Sequence, residues 1–251
     1  MKDDQATLAA IGVAAGCLTA FDHEVLGHGI ACLLNAGAVV HVSTSLFACS
    51  APSPFVAAGG PAGNLAMASL ALVVGRLLPA RETGWRLFCL AMTAFGFFWE
   101  GGYLVKAMLG GDGDLYFFAR GLFGPAETAW RIAGGVAGAL FYMAAWRLVS
   151  ARLTAIFPEA ARARRGARWL WLGGAAAVVV AALVFTGPFW PNLRDTALEI
   201  GLAASPLLVL PRGDGTGAEA PALMRNRAAI AFAACLFIAF AATQGHGLGS
   251  F

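Results

Sequence analysis

The chain has 251 residues, of which 59% are hydrophobic and only 12% charged, and its formal net charge is +3. Soluble domains run nearer half apolar and a quarter charged, so the composition argues against an ordinary water-soluble globule. The small positive charge points to no nucleic-acid partner, because the basic residues punctuate apolar runs and form no patch interleaved with aromatic residues.

Taken in order, apolar runs of 18 or more residues predict an all-α, polytopic transmembrane helical protein with membrane lipid around it. It reads as a single integral membrane domain over 1–251, with a core in 1–120 and supporting helices in 121–251. Spans are expected near 6–34, 55–78, 85–109, 126–149, 169–187, 196–210 and 228–243. The sixth is the weakest: it is short, begins with Asp195 and Glu199, and contains Pro206. The count is therefore six or seven. Between the first two spans, residues 39–47 are β-branched and roughly alternating, which predicts a strand or short β-hairpin. Such a strand, with His41, Val42 and Ser43, offers an edge on which an extended peptide substrate can pair; the alternative is a packed connecting loop. Five scattered cysteines without a Cys-x-x-Cys pair read as small buried hydrophobes. The Ala14-Ala15-Gly16-Cys17 stretch is rejected as a lipoprotein cleavage box, because the preceding residues lack a positive start.

Thirteen of the 17 basic residues fall at alternate span ends: Lys2; Arg76, Arg81 and Arg86; Arg147, Arg152, Arg162, Arg164, Arg165 and Arg168; then Arg212, Arg225 and Arg227. Basic residues accumulate on the cytoplasmic side of a membrane. The expected location is thus the bacterial inner (cytoplasmic) membrane, as a multi-pass protein with its N-terminus cytoplasmic. Lys106, Arg120 and Arg131 read as interfacial anchors.

Inside the first span stands His23-Glu24-Val25-Leu26-Gly27-His28. Ionisable groups within a span are costly and are read as functional. The pattern is one residue longer than the zinc-hydrolase HExxH, in which two histidines one helical turn apart bind the metal and the glutamate handles water. Helical residues rotate by about 100° each, so positions five apart diverge by about 140°. Either a π-bulge brings His23 and His28 to one side, eased by Gly27 and Gly29, or Glu24 and His28 are the ligand pair and His23 lies behind. The six residues resemble the motif of the dipeptidyl peptidase III family of zinc peptidases. That resemblance implies His23 and His28 as ligands and Glu24 as the general base. Asp22 is expected to orient a histidine.

At the head of the second span, Gly59-Gly60-Pro61-Ala62-Gly63-Asn64 allows close helix approach. Asn64 adds an uncharged donor suited to a substrate carbonyl. Here the chain resembles the site-2 protease family of intramembrane zinc metalloproteases, which combines a histidine–glutamate–histidine helix, a following β-hairpin and a Gly-Pro-x-x-Asn element. The matching positions are Gly60, Pro61 and Asn64, and the likeness covers roughly residues 6–120. A third ligand is implied near a glycine at the end of the third span. Asp114 of Gly113-Asp114 is the first choice, Asp112 the second, and the lone intramembrane Glu100 a rival that is alternatively a proton relay or the partner of Arg131. The order differs from the Asp-Gly of the best-known members. The resemblance implies a Zn2+ metallopeptidase acting on a transmembrane or signal-peptide-like protein substrate. Rival expectations are a zinc-dependent lipid amide or ester hydrolase, and a non-catalytic membrane scaffold of the same fold.

Overall fold

The computed structural model describes residues 3–125, 127–209 and 221–249. Lys2 and Arg212, together with the predicted span ends Ala126 and Leu210, lie outside them. Eight helices dominate: α1 (Gln5–Leu34), α2 (Pro54–Leu77), α3 (Thr83–Gly110), α4 (Asp114–Phe123), α5 (Glu127–Ile156), α6 (Ala160–Ala182), α7 (Phe189–Thr196) and α8 (Arg227–Gly245). Side-chain caps start three of them. Asp4 accepts the Thr7 N–H at 2.8 Å before α1, Ser53 accepts the Val56 N–H before α2, and Asn226 accepts the Ala229 N–H before α8. Pro54 supplies the first position of α2, where no hydrogen bond is lost.

Among the described residues five helices, α1, α2, α3, α5 and α8, are long and apolar enough to cross a membrane. The predicted count of six or seven is corrected in two places. The fifth predicted span falls on α6, whose first turns carry Arg162, Arg164, Arg165 and Arg168, so its apolar part is too short. The sixth is not one helix. Pro188 precedes the eight-residue α7, a π-helical turn follows over Ala197–Leu202, and Pro206 lies in a short 3-10 turn over Ser205–Leu208.

The core is built around α1 and α3, whose apolar windows are 72% and 78% buried. Those of α2, α5 and α8 are only 33%, 17% and 22% buried. Their outer faces carry apolar side chains such as Leu70, Val73, Ile132, Val136, Leu140 and Phe232. The tightest crossing is α1 on α6. A Cβ added at Gly16 would stand 2.7 Å from the Gly174 Cα, so backbone meets backbone there.

The predicted hairpin is present, but as part of a three-stranded antiparallel sheet. Its strands are β1 (Val39–Val42), β2 (Phe47–Cys49) and β3 (Leu248–Gly249), in the order β2-β1-β3. Val42 pairs Phe47 on one side and Leu248 on the other, with a bulge between Val39 and His41. Two of the five cysteines are not isolated hydrophobes: Cys32, at the end of α1, and Cys49, in β2, form a disulfide. Cys17 and Cys89 are buried thiols, whereas Cys235 is exposed.

Candidate metal centre

Residues Asp22–His28 within α1 form a π-helix. Its hydrogen bonds run from residue i to i+5, so residues five apart stack one turn apart. This resolves the spacing of the histidines: the rings of His23 and His28 stand edge-to-face with centroids 5.0 Å apart. Gly27 serves packing more than distortion. A Cβ there would lie 2.6 Å from the Gly59 carbonyl oxygen of α2, while one at the buried Gly29 would meet only the Glu24 carbonyl oxygen, at an ordinary 3.9 Å.

The close crossing presses α2 onto the histidines. A Cβ built on Gly60 would sit 2.6 Å from His23 Nε2 and closer still to His28 Nε2. Only glycine leaves that volume open. From the other side, the turn after α3 reverses the chain at Gly111–Gly113 and starts α4 with Asp114. Tyr103 fixes that start: its hydroxyl donates to Asp114 Oδ2 at 2.9 Å and accepts the Asp114 N–H at 2.7 Å. Asp114 Oδ2 then lies 3.3 Å from His28 Nε2 and 3.8 Å from His23 Nε2. One ligand atom from each of His23, His28 and Asp114 falls within 4.8 Å of the others. Partial burial would push the Asp114 carboxyl up, but the two imidazoles opposite outweigh it and hold the group well below the usual carboxylate range.

The far nitrogens of both rings are engaged. His28 Nδ1 is 2.8 Å from the Val56 carbonyl oxygen, which only accepts, so Nδ1 carries a proton and, in the neutral imidazole, Nε2 keeps the lone pair. The Gly60 N–H, 3.3 Å from the same nitrogen, is then a contact and not a bond. His23 Nδ1 is 3.1 Å from Glu100 Oε1, which also accepts from Asn64 Nδ2 at 2.8 Å. Asn64 Nδ2 lies 3.0 Å from His23 Nδ1 as well. Trp99 stacks flat on His23, with centroids 4.4 Å apart and planes 8° apart; Phe47 of β2 stacks on His28 at 5.1 Å.

The donor set fits a cation. Two imidazole Nε2 atoms and a carboxylate oxygen converge from three directions. Asp114 Oδ2 stands 3.3 and 3.8 Å from the two Nε2 atoms, separations that one small cation can bridge. Beside the group lies Glu24, 2% exposed, close enough for the charges of both histidines and Asp114 to act on it. Its Oε2 is buried with no hydrogen-bond partner.

Other residues singled out from the sequence lie elsewhere. Glu100 stands behind His23, not among the converging ligand atoms, and Arg131 instead caps the end of α3 through the Met108 and Leu109 carbonyls. Asp112 is exposed on the turn. The Asn64 amide nitrogen is turned to Glu100 and His23. Pro61 is buried within α2, next to Gly60. His41 and Val42 lie in β1, whose two edges are both paired, and His41 packs against Phe185 with centroids 5.6 Å apart. Ser43 donates to Asn192 Oδ1 at 2.8 Å. Asp22 makes no hydrogen bond to either histidine among the described residues; Glu100 and Val56 occupy the orienting positions. Lys106, expected as an interfacial anchor, pairs with Asp195 at 3.2 Å and Glu199 at 2.7 Å.

Sequence reasoning missed Phe47, Val56, Trp99 and Tyr103. A signal existed for two of them, since Trp99 and Tyr103 flank Glu100 at positions one and three residues away on the same helix. Compared with known proteins, the chain matches no family model, no curated protein and no solved structure.

Proposed function

We propose that the chain is a membrane-embedded, zinc-dependent metallopeptidase, a divergent relative of the site-2 protease family. The observation that carries this reading is the π-helical turn that puts His23 and His28 on one side, opposite Asp114. Around it stand the other elements of the resemblance: a hairpin over His28, and Gly60, Pro61 and Asn64 crossing at the histidines. Five long apolar helices with exposed apolar faces fit a lipid environment. The Cys32–Cys49 disulfide fits an oxidising compartment on the side where the site lies.

The Nε2 atoms of His23 and His28 and the carboxylate of Asp114 would hold one zinc, leaving one position for water. When bound, such an ion lowers the pKa of its water toward neutrality and polarises a carbonyl. Glu24, buried and with one oxygen unengaged, takes the proton of the attacking water and returns it to the leaving amine. Glu100 and the Val56 carbonyl keep the imidazole protons on Nδ1, so that both Nε2 atoms stay available. Trp99 and Phe47 cover the ring faces and keep water from them. The edge of β2 away from β1 carries no strand among the described residues and offers an extended substrate its pairing groups beside His28.

The test is metal content of detergent-purified protein by elemental analysis, followed by cleavage assays on transmembrane and signal-peptide-like peptides. One zinc per chain, lost in His28→Ala and in Asp114→Ala, is expected. Glu24→Gln should keep the zinc and lose cleavage. Absence of metal from carefully prepared wild type would sink the proposal, as would cleavage that survives Glu24→Gln.

A further inference from the structure

At the end of the bundle remote from the histidines, three arginines from three helices converge. Arg76 lies in the last turn of α2, Arg86 near the start of α3 and Arg152 near the end of α5. Sixteen residues of α2 separate Arg76 from Gly60, about 24 Å along the helix. All three arginines line one small cavity, with Leu72, Gly75 and Ile156. Its volume of about 20 Å³ admits one oxygen-sized group.

No carboxylate lines this cavity. Arg152 is close enough to Arg76 and Arg86 for their charges to act on it. Glu82, four residues before Arg86, faces Arg81 at 3.7 Å instead. Among the described residues, none of the three arginines makes an ion pair or a side-chain hydrogen bond, and Arg86 Nε is buried without a partner. Gathering three like charges and leaving one guanidinium nitrogen unsatisfied is unfavourable on both counts. An oxyanion relieves both. Guanidinium groups match phosphate oxygens in paired, planar hydrogen bonds.

We propose that Arg76, Arg86 and Arg152 form a binding site for a phosphate group, seated across the mouth of the cavity with one oxygen inside. The phosphate comes from the headgroup of an anionic lipid or from free phosphate; the chemistry of recognition is the same. The exposed Val73, Val74 and Leu77 beside Arg76 on α2 offer an apolar flank for the chains of a lipid.

The experiment uses the full chain in uncharged detergent at constant ionic strength. Thermal unfolding is followed during titration with short-chain phosphatidylglycerol, with phosphatidylcholine of the same chain length, and with inorganic phosphate. Phosphatidylglycerol should raise the midpoint saturably, and phosphatidylcholine, whose phosphate is balanced by a trimethylammonium that the three guanidinium groups repel, should not. Arg86→Gln and Arg152→Gln should each weaken the apparent affinity by about tenfold or more, because a charge-assisted bond is lost. Arg86→Lys, which keeps the charge and the fold, should weaken it less, and Arg81→Gln should leave it unchanged. An equal shift with inorganic phosphate alone supports the site with free phosphate as its occupant. The proposal is overturned if the two lipids act alike while phosphate is inert. It is equally overturned if the shift keeps its midpoint concentration in Arg86→Lys and in both glutamine variants.

Discussion

The two halves of α1 are one continuous helix put to opposite uses. Over Gln5–Phe21 its buried groups are apolar or small, with only threonine hydroxyls among them, and Gly12 and Gly16 bring its backbone against α6. Over Asp22–His28 it buries two carboxyls and two imidazoles, and oxygens of Asp22 and Glu24 are left without partners. The first half is arranged for close packing. The second tolerates groups that packing alone would reject, because unpaired buried polar atoms cost stability. The comparison teaches that sequence changes in the two halves should fail in different ways, by unfolding in one and by lost chemistry in the other.

The largest effect should come from Glu24→Gln. Removal of a general base, the role proposed for Glu24, costs about 10²–10⁴-fold in rate, so the proposed peptide cleavage should fall by that order. Because the substitution removes a buried charge, the thermal midpoint should hold or rise; a marked drop would erase the contrast between the halves. Next is Gly16→Leu, which forces a side chain into the α6 backbone. Overpacking costs about 1–3 kcal/mol, and more where backbone is met. Denaturant unfolding should show that loss, while the metal content of the remaining folded protein matches that of the wild type.

Smaller effects sharpen the site itself. Glu100→Gln leaves the three converging ligand atoms in place but weakens the anchor of His23 Nδ1. Groups of this kind are worth about 10–100-fold in metal affinity, measurable by competition with a chelator. An unchanged affinity would deny Glu100 its orienting role. Smallest is an acid effect at the other end of α1. Burial pushes the Asp3 carboxyl up, but hydrogen bonds from Arg162 and the Leu223 N–H, with the charges of Arg162 and Arg165, outweigh it and hold the group below its ordinary 3.8. A depressed carboxylate stabilises the fold above the unfolded value and ceases to do so as pH falls through the folded one. Stability should therefore decline slightly below about pH 4, and Asp3→Asn should flatten that part of the profile.

Much of the site could be read in the chain because its chemistry is carried by rare residues in an apolar background. His23, Glu24, His28, Glu100 and Asp114 stand out for that reason alone. The roles were harder to assign. Asn64 looked like a donor for substrate, yet its amide nitrogen faces Glu100 and His23. His41 shares a hairpin with Phe47, but of the two it is Phe47 that stacks on a histidine of the converging group. Strand alternation gives the period of 39–47 without saying which edge stays open, and β3, some two hundred residues away, takes one side of β1. Cys32 and Cys49 carry no local pairing signal, since a disulfide depends on where two elements meet.

By itself the sequence determined the helical class, the apolar lengths of most elements and the cost of placing two histidines five residues apart in a helix. These follow from hydropathy and helical period, which act within about 18 residues. The tertiary structure decided that the turn widens to a π-helix, that Asp114 and not Asp112 or Glu100 faces the Nε2 atoms, and that Gly60 leaves the space between them. Those outcomes depend on how α1, α2 and α3 cross and on the turn that starts α4, where side chains from segments ninety residues apart meet within a few ångströms.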